Sequence, residues 1–216
     1  MFIGHFAVGF AAKRAAPRLS IAVLFAAAQL ADLLWPVFLV LGFEQVRIQP
    51  GNTAFTPLDF ISYPYSHSLV MLCAWGAIFG VISGVVVRNV RAGLVVAGLV
   101  VSHWVLDWIT HRPDMPLYPG SARLGLGLWN SVAATVVVEA LMFAAGVWLY
   151  VRSTRARDAV GRRAFGAFVA FLVAVYLANM GPPPPSVTAI EVVGLLGGAI
   201  LVLWGWWFDH HRTPLA

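Results

Sequence analysis

The sequence predicts an all-α protein, a polytopic membrane bundle of about six transmembrane helices preceded by a short inserted N-terminal helix. Three observations predict it. Of 216 residues, 60% are hydrophobic and 11% charged, with mean hydropathy +0.83, whereas an ordinary soluble domain is about 25% charged. Six apolar runs approach or exceed the roughly 20 residues that a helix needs to cross a bilayer core. The cations fall on alternate connections between those runs, as the positive-inside rule requires.

The elements follow in order. Phe2–Ala12 is apolar but too short to span, and it lacks the basic-then-apolar order of a signal peptide, so it is expected to be retained and partly inserted. The six candidate spans are Ser20–Phe43, Ser68–Val87, Ala92–Thr110, Gly125–Val151, Ala164–Met180 and Val187–Phe208. Pro36 supplies a break in the first. Pro182–Pro185 is a stiff, extended connector between the last two. Residues 1–150 carry the candidate site, and residues 151–216 add a basic loop and two further spans to the same bundle.

If the chain enters span one from the cytoplasm, the inner connections hold Lys13, Arg14, Arg18, Arg88, Arg91, Arg152, Arg155, Arg157, Arg162, Arg163 and Arg212. The outer ones hold only Arg47, Arg112 and Arg123. This asymmetry predicts both termini cytoplasmic, and it accounts for a pI near 10.0 without a nucleic-acid partner. The expected partner is the lipid bilayer. Soluble, disordered, collagen-like and secreted disulfide classes are excluded, the last because Cys73 is the only cysteine. The outer segments Gln45–Tyr65 and His111–Leu124 are rich in turn formers and aromatics, so ordered chemistry is expected on that side.

A charge at mid-bilayer costs on the order of 3 kcal/mol or more, which makes a buried acid a functional candidate. Asp32, Asp107, Glu139 and Glu191 lie within the spans, His103 joins them, and His5 lies in the short first segment. No Lys or Arg on those spans neutralises them. Counting about 1.5 Å per residue from the inner cations puts Asp32, His103 and Glu139 at about 18–20 Å and Asp107 at about 24 Å. The same count puts His67 and His111 near the outer surface at about 30 Å and His5 at about 12 Å. Carboxylates and imidazoles gathered at similar height in a low-dielectric bundle are what a divalent-metal site requires.

Spacing on span three adds weight. His103, Asp107 and His111 are each four apart, within an arc of about 80° on one helix face. The plainer alternatives are hydrogen bonding across helices for any one of these groups, and capping of span two by Ser66 or Ser68 with His67 at the interface. Glu191, near a span end, is expected to reach water. His210 and His211 read as an interfacial tail, and Trp206 with Trp207 as an aromatic belt. Asp59, Asp114, Arg112 and Arg123 either touch substrate or are solvated.

Four sequence features resemble one family: Met1-Phe2-Ile3-Gly4-His5 with Gly9, Asp32 followed by Trp35-Pro36, Ser66-His67-Ser68-Leu69, and Ser102-His103 with Asp107. The chain resembles, over roughly residues 1–150, the bacterial membrane-bound metal-dependent hydrolases also described as LexA-binding, inner-membrane-associated hydrolases. The order of these groups is also similar to that of zinc-dependent phospholipase C and the single-strand-specific zinc nucleases. The resemblance implies that His5, Asp32, His67, His103, Asp107 and Glu139 are ligands or near-ligands, with His111 beside them, for one to three divalent ions such as zinc. The family's Pro-Asp-x-Asp motif is here Leu30-Ala31-Asp32-Leu33-Leu34, one acid short.

The function expected from this resemblance is metal-dependent hydrolysis of a phosphoester, as in a lipid or lipid-linked substrate at the outer half of the bilayer. Asp32 and Glu139 are the candidate catalytic carboxylates, Asp32 as bridging ligand or base, and Arg112 or Arg123 would hold the phosphate. The alternatives are a transporter or proton relay using the same acids, and a non-catalytic scaffold stabilised by metal.

Overall fold

Each long helix begins where the sequence supplies a capping side chain. Ser68, Asn89, Ser131, Asp158 and Ser186 each accept a hydrogen bond from a first-turn backbone amide. They start α5 (Leu69–Val86), α6 (Val90–Thr110), α7 (Val132–Ser153), α8 (Ala159–Ala178) and α9 (Val187–His210). The structure, a computed structural model, describes residues 1–215. The remaining helices are α1 (Ile3–Ala12), α2 (Ile21–Ala28), α3 (Leu30–Val40) and the single turn α4 (Pro64–His67). Three antiparallel ribbons form the connections: β1 (Gln45–Ile48) with β2 (Leu58–Ser62), β3 (Met115–Pro116) with β4 (Arg123–Leu124), and β5 (Thr154–Ala156) with β6 (Arg212–Pro214). The protein is an all-α bundle, as expected.

Five helices, α5 to α9, are long and apolar enough to cross a membrane. The first predicted span is two helices, α2 and α3, bent by 59°. The break falls at Gln29 (φ −104°, ψ 10°), not at Pro36, which lies inside α3 while the helix continues to Val40. Span four begins later than its composition suggests, because Gly125–Ser131 is spent on the end of the outer segment and a 3-10 turn at Leu128–Asn130.

α5 and α6 run antiparallel in close contact. A Cβ added to Gly80 would stand 2.7 Å from Gly93 O, and one on Gly93 would stand 2.6 Å from Gly80 O, so only glycine fits either side. Apart from His5, α1 is apolar on every face and is a core element rather than an interfacial one. Ile3 to Ala7, Gly9 and Phe10 are all buried. It lies parallel to α7, with Gly146 against the Ala7 backbone, and Phe6 and Phe10 pack edge-on to Phe25 at 5.1 and 4.8 Å.

At the basic end of the bundle, Lys13 is buried rather than a loop cation. Its ammonium donates to Asp209 Oδ2 and Leu19 O, both at 2.7 Å. Asp209 also accepts from Ile21 N at 2.9 Å and from the Tyr150 hydroxyl at 2.6 Å. Arg212 covers the Tyr150 and Phe165 rings. This knot ties α1, α2, α7 and α9 together, so residues beyond 150 are part of the same bundle.

Candidate metal centre

The break at Gln29 shapes one wall of the site. Ending α2 there leaves its last carbonyls without helical partners, and the carbonyl of Ala28 takes the Nδ1–H of His103 at 2.8 Å. Restarting at Leu30 puts Asp32 in the first turn of α3, where the helix dipole favours a carboxylate.

α6 supplies the centre. His103 Nε2 lies 3.0 Å from Asp107 Oδ2 and 3.8 Å from Asp32 Oδ1. His67 Nε2, from α4, lies 3.4 Å from Asp32 Oδ1 and 3.8 Å from Asp107 Oδ2. These separations bracket the roughly 3.3–3.6 Å expected between ligand atoms about 2.0–2.2 Å from a tetrahedral ion. The other Asp107 oxygen, Oδ1, is 3.0 Å from His5 Nε2 and also takes the α-amino group of Met1. The His5 and His103 rings stack at 3.7 Å. Asp107 thus lies between two groups of donors, the place the sequence reading had offered to Asp32.

Three of the four histidines have Nδ1 occupied on the side away from Asp32 and Asp107. His103 uses Ala28 O. His67 uses Ser66 Oγ at 2.7 Å, and His111 uses Asp114 Oδ1 at 2.9 Å. Such outward partners are the usual supports of metal-binding imidazoles. Among the described residues, His103 Nε2, His5 Nδ1 and Glu139 Oε1 are buried with no hydrogen-bond partner. Unpartnered buried ring nitrogens therefore coincide with the cluster, and two groups, His5 with His103 and Asp107 and Asp32 with His67 and His103, bring their ligand atoms within 4.8 Å of one another, as a divalent ion requires.

Two expected members lie at the edge. His111 Nε2 is 3.9 Å from Asp107 Oδ2. Glu139 reaches the site through α1: its Oε2 accepts from Phe2 N at 3.0 Å and Gly4 N at 3.2 Å, which sets the helix that carries His5. Depth counting misplaced two histidines. His5 is level with Asp107 because Lys13, the origin of its count, is itself buried. His67 is inside rather than at the interface because Pro64 starts a separate turn, α4, packed against α3, before α5 begins.

The roof over the cluster is built from groups the sequence reading left open. Asp59 and Asp114 are buried rather than solvated, at 6% and 4% exposure. Asp59 pairs with Arg112 and, at 2.6 Å, with Arg47. Arg112 also reaches Asp114 at 3.4 Å, and Arg123 donates to the carbonyls of Phe60 and Ile61. Both predicted phosphate-binding arginines are therefore already engaged in this structure. Tyr63 donates to Asp114 at 2.8 Å, and burial followed by that negative charge pushes its hydroxyl well above its ordinary range. Burial pushes His111 down. Ser68 caps α5, whereas Ser66 binds Glu44, a buried carboxylate the sequence reading missed. Nothing in its local sequence, in an exposed-looking loop, marked it. Asp114 was findable, three residues after His111.

Only Asp32 opens the cluster to the surroundings, with a side chain 41% exposed against 3% or less for His67, His103 and Asp107. Compared with family models, curated proteins and solved structures, the chain matches none.

Proposed function

We propose that this chain is a membrane-embedded hydrolase that uses one or more divalent ions, zinc by the chemistry of its His and Asp donors, on a phosphoester of a lipid or lipid-linked substrate. The observation that carries the reading is the trio Asp32, His67 and His103, whose ligand atoms lie within 4.8 Å of one another and which shares His103 with a second trio, His5, His103 and Asp107, the His67 and His103 imidazoles each being held from behind. A divalent ion bound there would lower the pKa of a water toward about 7 and polarise a phosphoryl oxygen.

In this reading Asp32, His67 and His103 would hold an ion with a position left open for water, and His5, His103 and Asp107 would offer a second set of donors. Asp107 bridges toward His5 with its second oxygen. Asp32, the exposed member, is placed to meet an incoming substrate and would accept a proton from the attacking water. Glu139 holds α1 in place through Phe2 and Gly4. Arg112 would reach a phosphate by exchanging its contact with Asp59. The basic end faces the cytoplasm of an inner membrane by the positive-inside rule, which puts the site toward the outer half.

The test is elemental analysis of purified protein together with turnover of lipid phosphomonoesters and phosphodiesters in detergent. Stoichiometric metal, lost on His103→Ala along with turnover, supports the proposal. Protein free of Zn, Mn and Fe that also takes up none of them refutes it. A transport reading draws on the 59° break beside Asp32, since broken spans line transporter sites. Flux in liposomes that persists after chelation and is lost on Glu139→Gln would favour it. Metal that stabilises the fold with no turnover or flux would leave a scaffold.

A further inference from the structure

We infer that Glu44 is a positioning residue for this site: acting through the hydroxyl of Ser66, it decides which nitrogen of His67 carries the proton. Its consequence for metal binding rests on the reading proposed above, but its geometry does not.

Glu44 lies between α3 and β1 and is 2% exposed. Its Oε1 accepts from the backbone amides of Tyr65 and Ser66, both at 2.8 Å, in the first turn of α4. Its Oε2 is 2.6 Å from Ser66 Oγ. Three donors point at two oxygens, so the carboxylate acts only as an acceptor. The Ser66 hydroxyl must therefore donate to Oε2. A hydroxyl has one proton, so toward His67 Nδ1, 2.7 Å away, Ser66 Oγ can only accept. Nδ1 must then carry a hydrogen, and the neutral ring presents Nε2 as a bare lone pair. That lone pair faces Asp32 Oδ1 at 3.4 Å and Asp107 Oδ2 at 3.8 Å. Each link in the series fixes the next, and Glu44 is its origin.

Glu44→Gln tests this at nearly constant shape. The amide oxygen can keep both backbone amides, while the amide NH2 now donates to Ser66 Oγ. The Ser66 proton is released toward His67 Nδ1, the ring proton moves to Nε2, and a hydrogen points at the two aspartates. In chelator-treated, 15N-histidine-labelled protein, His67 should show protonated Nδ1 in the wild type, with the signal assigned by its loss in His67→Gln. In Glu44→Gln it should show protonated Nε2. Affinity for Co2+, read from its ligand-field absorption, should fall about 10–100-fold in Glu44→Gln, the range for removing a support of a ligating histidine. Adding Glu44→Gln to Ser66→Ala should cost nothing further, because the link is already cut.

A wild-type His67 protonated at Nε2 alone overturns the inference, with no Glu44 variant needed. So does an unchanged tautomer in folded Glu44→Gln, or costs of the two substitutions that multiply. Wild-type protein that binds no Co2+ refutes the proposed function instead, while the nitrogen signals still decide the role of Glu44.

Discussion

His103 Nε2 lies 3.0 Å from Asp107 Oδ2, one turn along the same helix, yet no hydrogen bond joins them. With Nδ1–H already given to Ala28, the facing atoms of a neutral His103 and an ionised Asp107 are both lone-pair donors. Such a pair is stable only with a proton or a metal ion between them. The expected outcome is metal. Chelator competition should show His103→Ala weakening zinc binding beyond the roughly 10–100-fold typical of supporting residues. His111→Ala, 3.9 Å from Asp107, should stay within that range.

Asp32 and Glu139 separate chemistry from framework. Asp32→Asn changes an exposed group, so melting temperature should hold while phosphoester turnover falls by about 10²–10⁴-fold, the usual contribution of a general base. Glu139→Ala strands the amides of Phe2 and Gly4 inside the bundle. It should destabilise by about 1–3 kcal/mol for each, measured by thermal unfolding in detergent.

At the opposite end, Lys13→Met leaves Asp209 without its cation in a site where the pair is 4% and 7% exposed. Removing one partner of a buried ion pair costs about 3–5 kcal/mol. The double variant Lys13→Met with Asp209→Leu should recover much of that loss. A double variant as unstable as the single would mean that the Ile21 and Tyr150 contacts carry the interaction.

Gly80→Leu should be among the most damaging apolar substitutions, because its Cβ would meet the Gly93 carbonyl. The expected cost exceeds the roughly 1–3 kcal/mol of ordinary overpacking, since backbone must move. Gly98→Leu on α6, with nothing within 4 Å, should leave the melting temperature nearly unchanged.

Asp158 caps α8, and its carboxyl is held below its ordinary value of 3.8 by the Gly161 amide first and then by His211 at 2.7 Å. A depressed carboxyl stabilises the fold fully above its unfolded value, and that contribution is lost as pH falls through the folded one. Thermal stability relative to Asp158→Asn should therefore decline as pH falls below about 4. A difference that stays flat down to pH 3 would contradict the cap's electrostatic share.

The spans were legible because hydropathy is additive along the chain, and the start of α5 because a capping serine acts within three residues, whereas α7 and α8 begin at Val132 and Ala159 and not at Gly125 and Ala164. The histidines and acids were legible because a rare ionisable group in an apolar run has few other reasons to be there. Their heights were not. Rise per residue assumes that every count begins at the surface, and Lys13 does not lie there. Glu44 and the Ala28 carbonyl were invisible as partners because each meets its histidine through a bend or a turn that no local pattern encodes, whereas Asp114 stands three residues after His111.

The sequence alone determined the helical class, the alternation of basic and aromatic connections, and the alphabet of the site: His5, Asp32, His67, His103, Asp107, His111 and Glu139. Tertiary structure decided the rest. It bent the first span at Gln29, brought α1 into the core, paired Arg47 and Arg112 with Asp59, and gave His67, His103 and His111 each a partner behind the ring. Composition and spacing are one-dimensional and reflect solvent preference and helical phase. Which lone pair faces which carboxylate depends on distances across the bundle, and those exist only once the helices have packed.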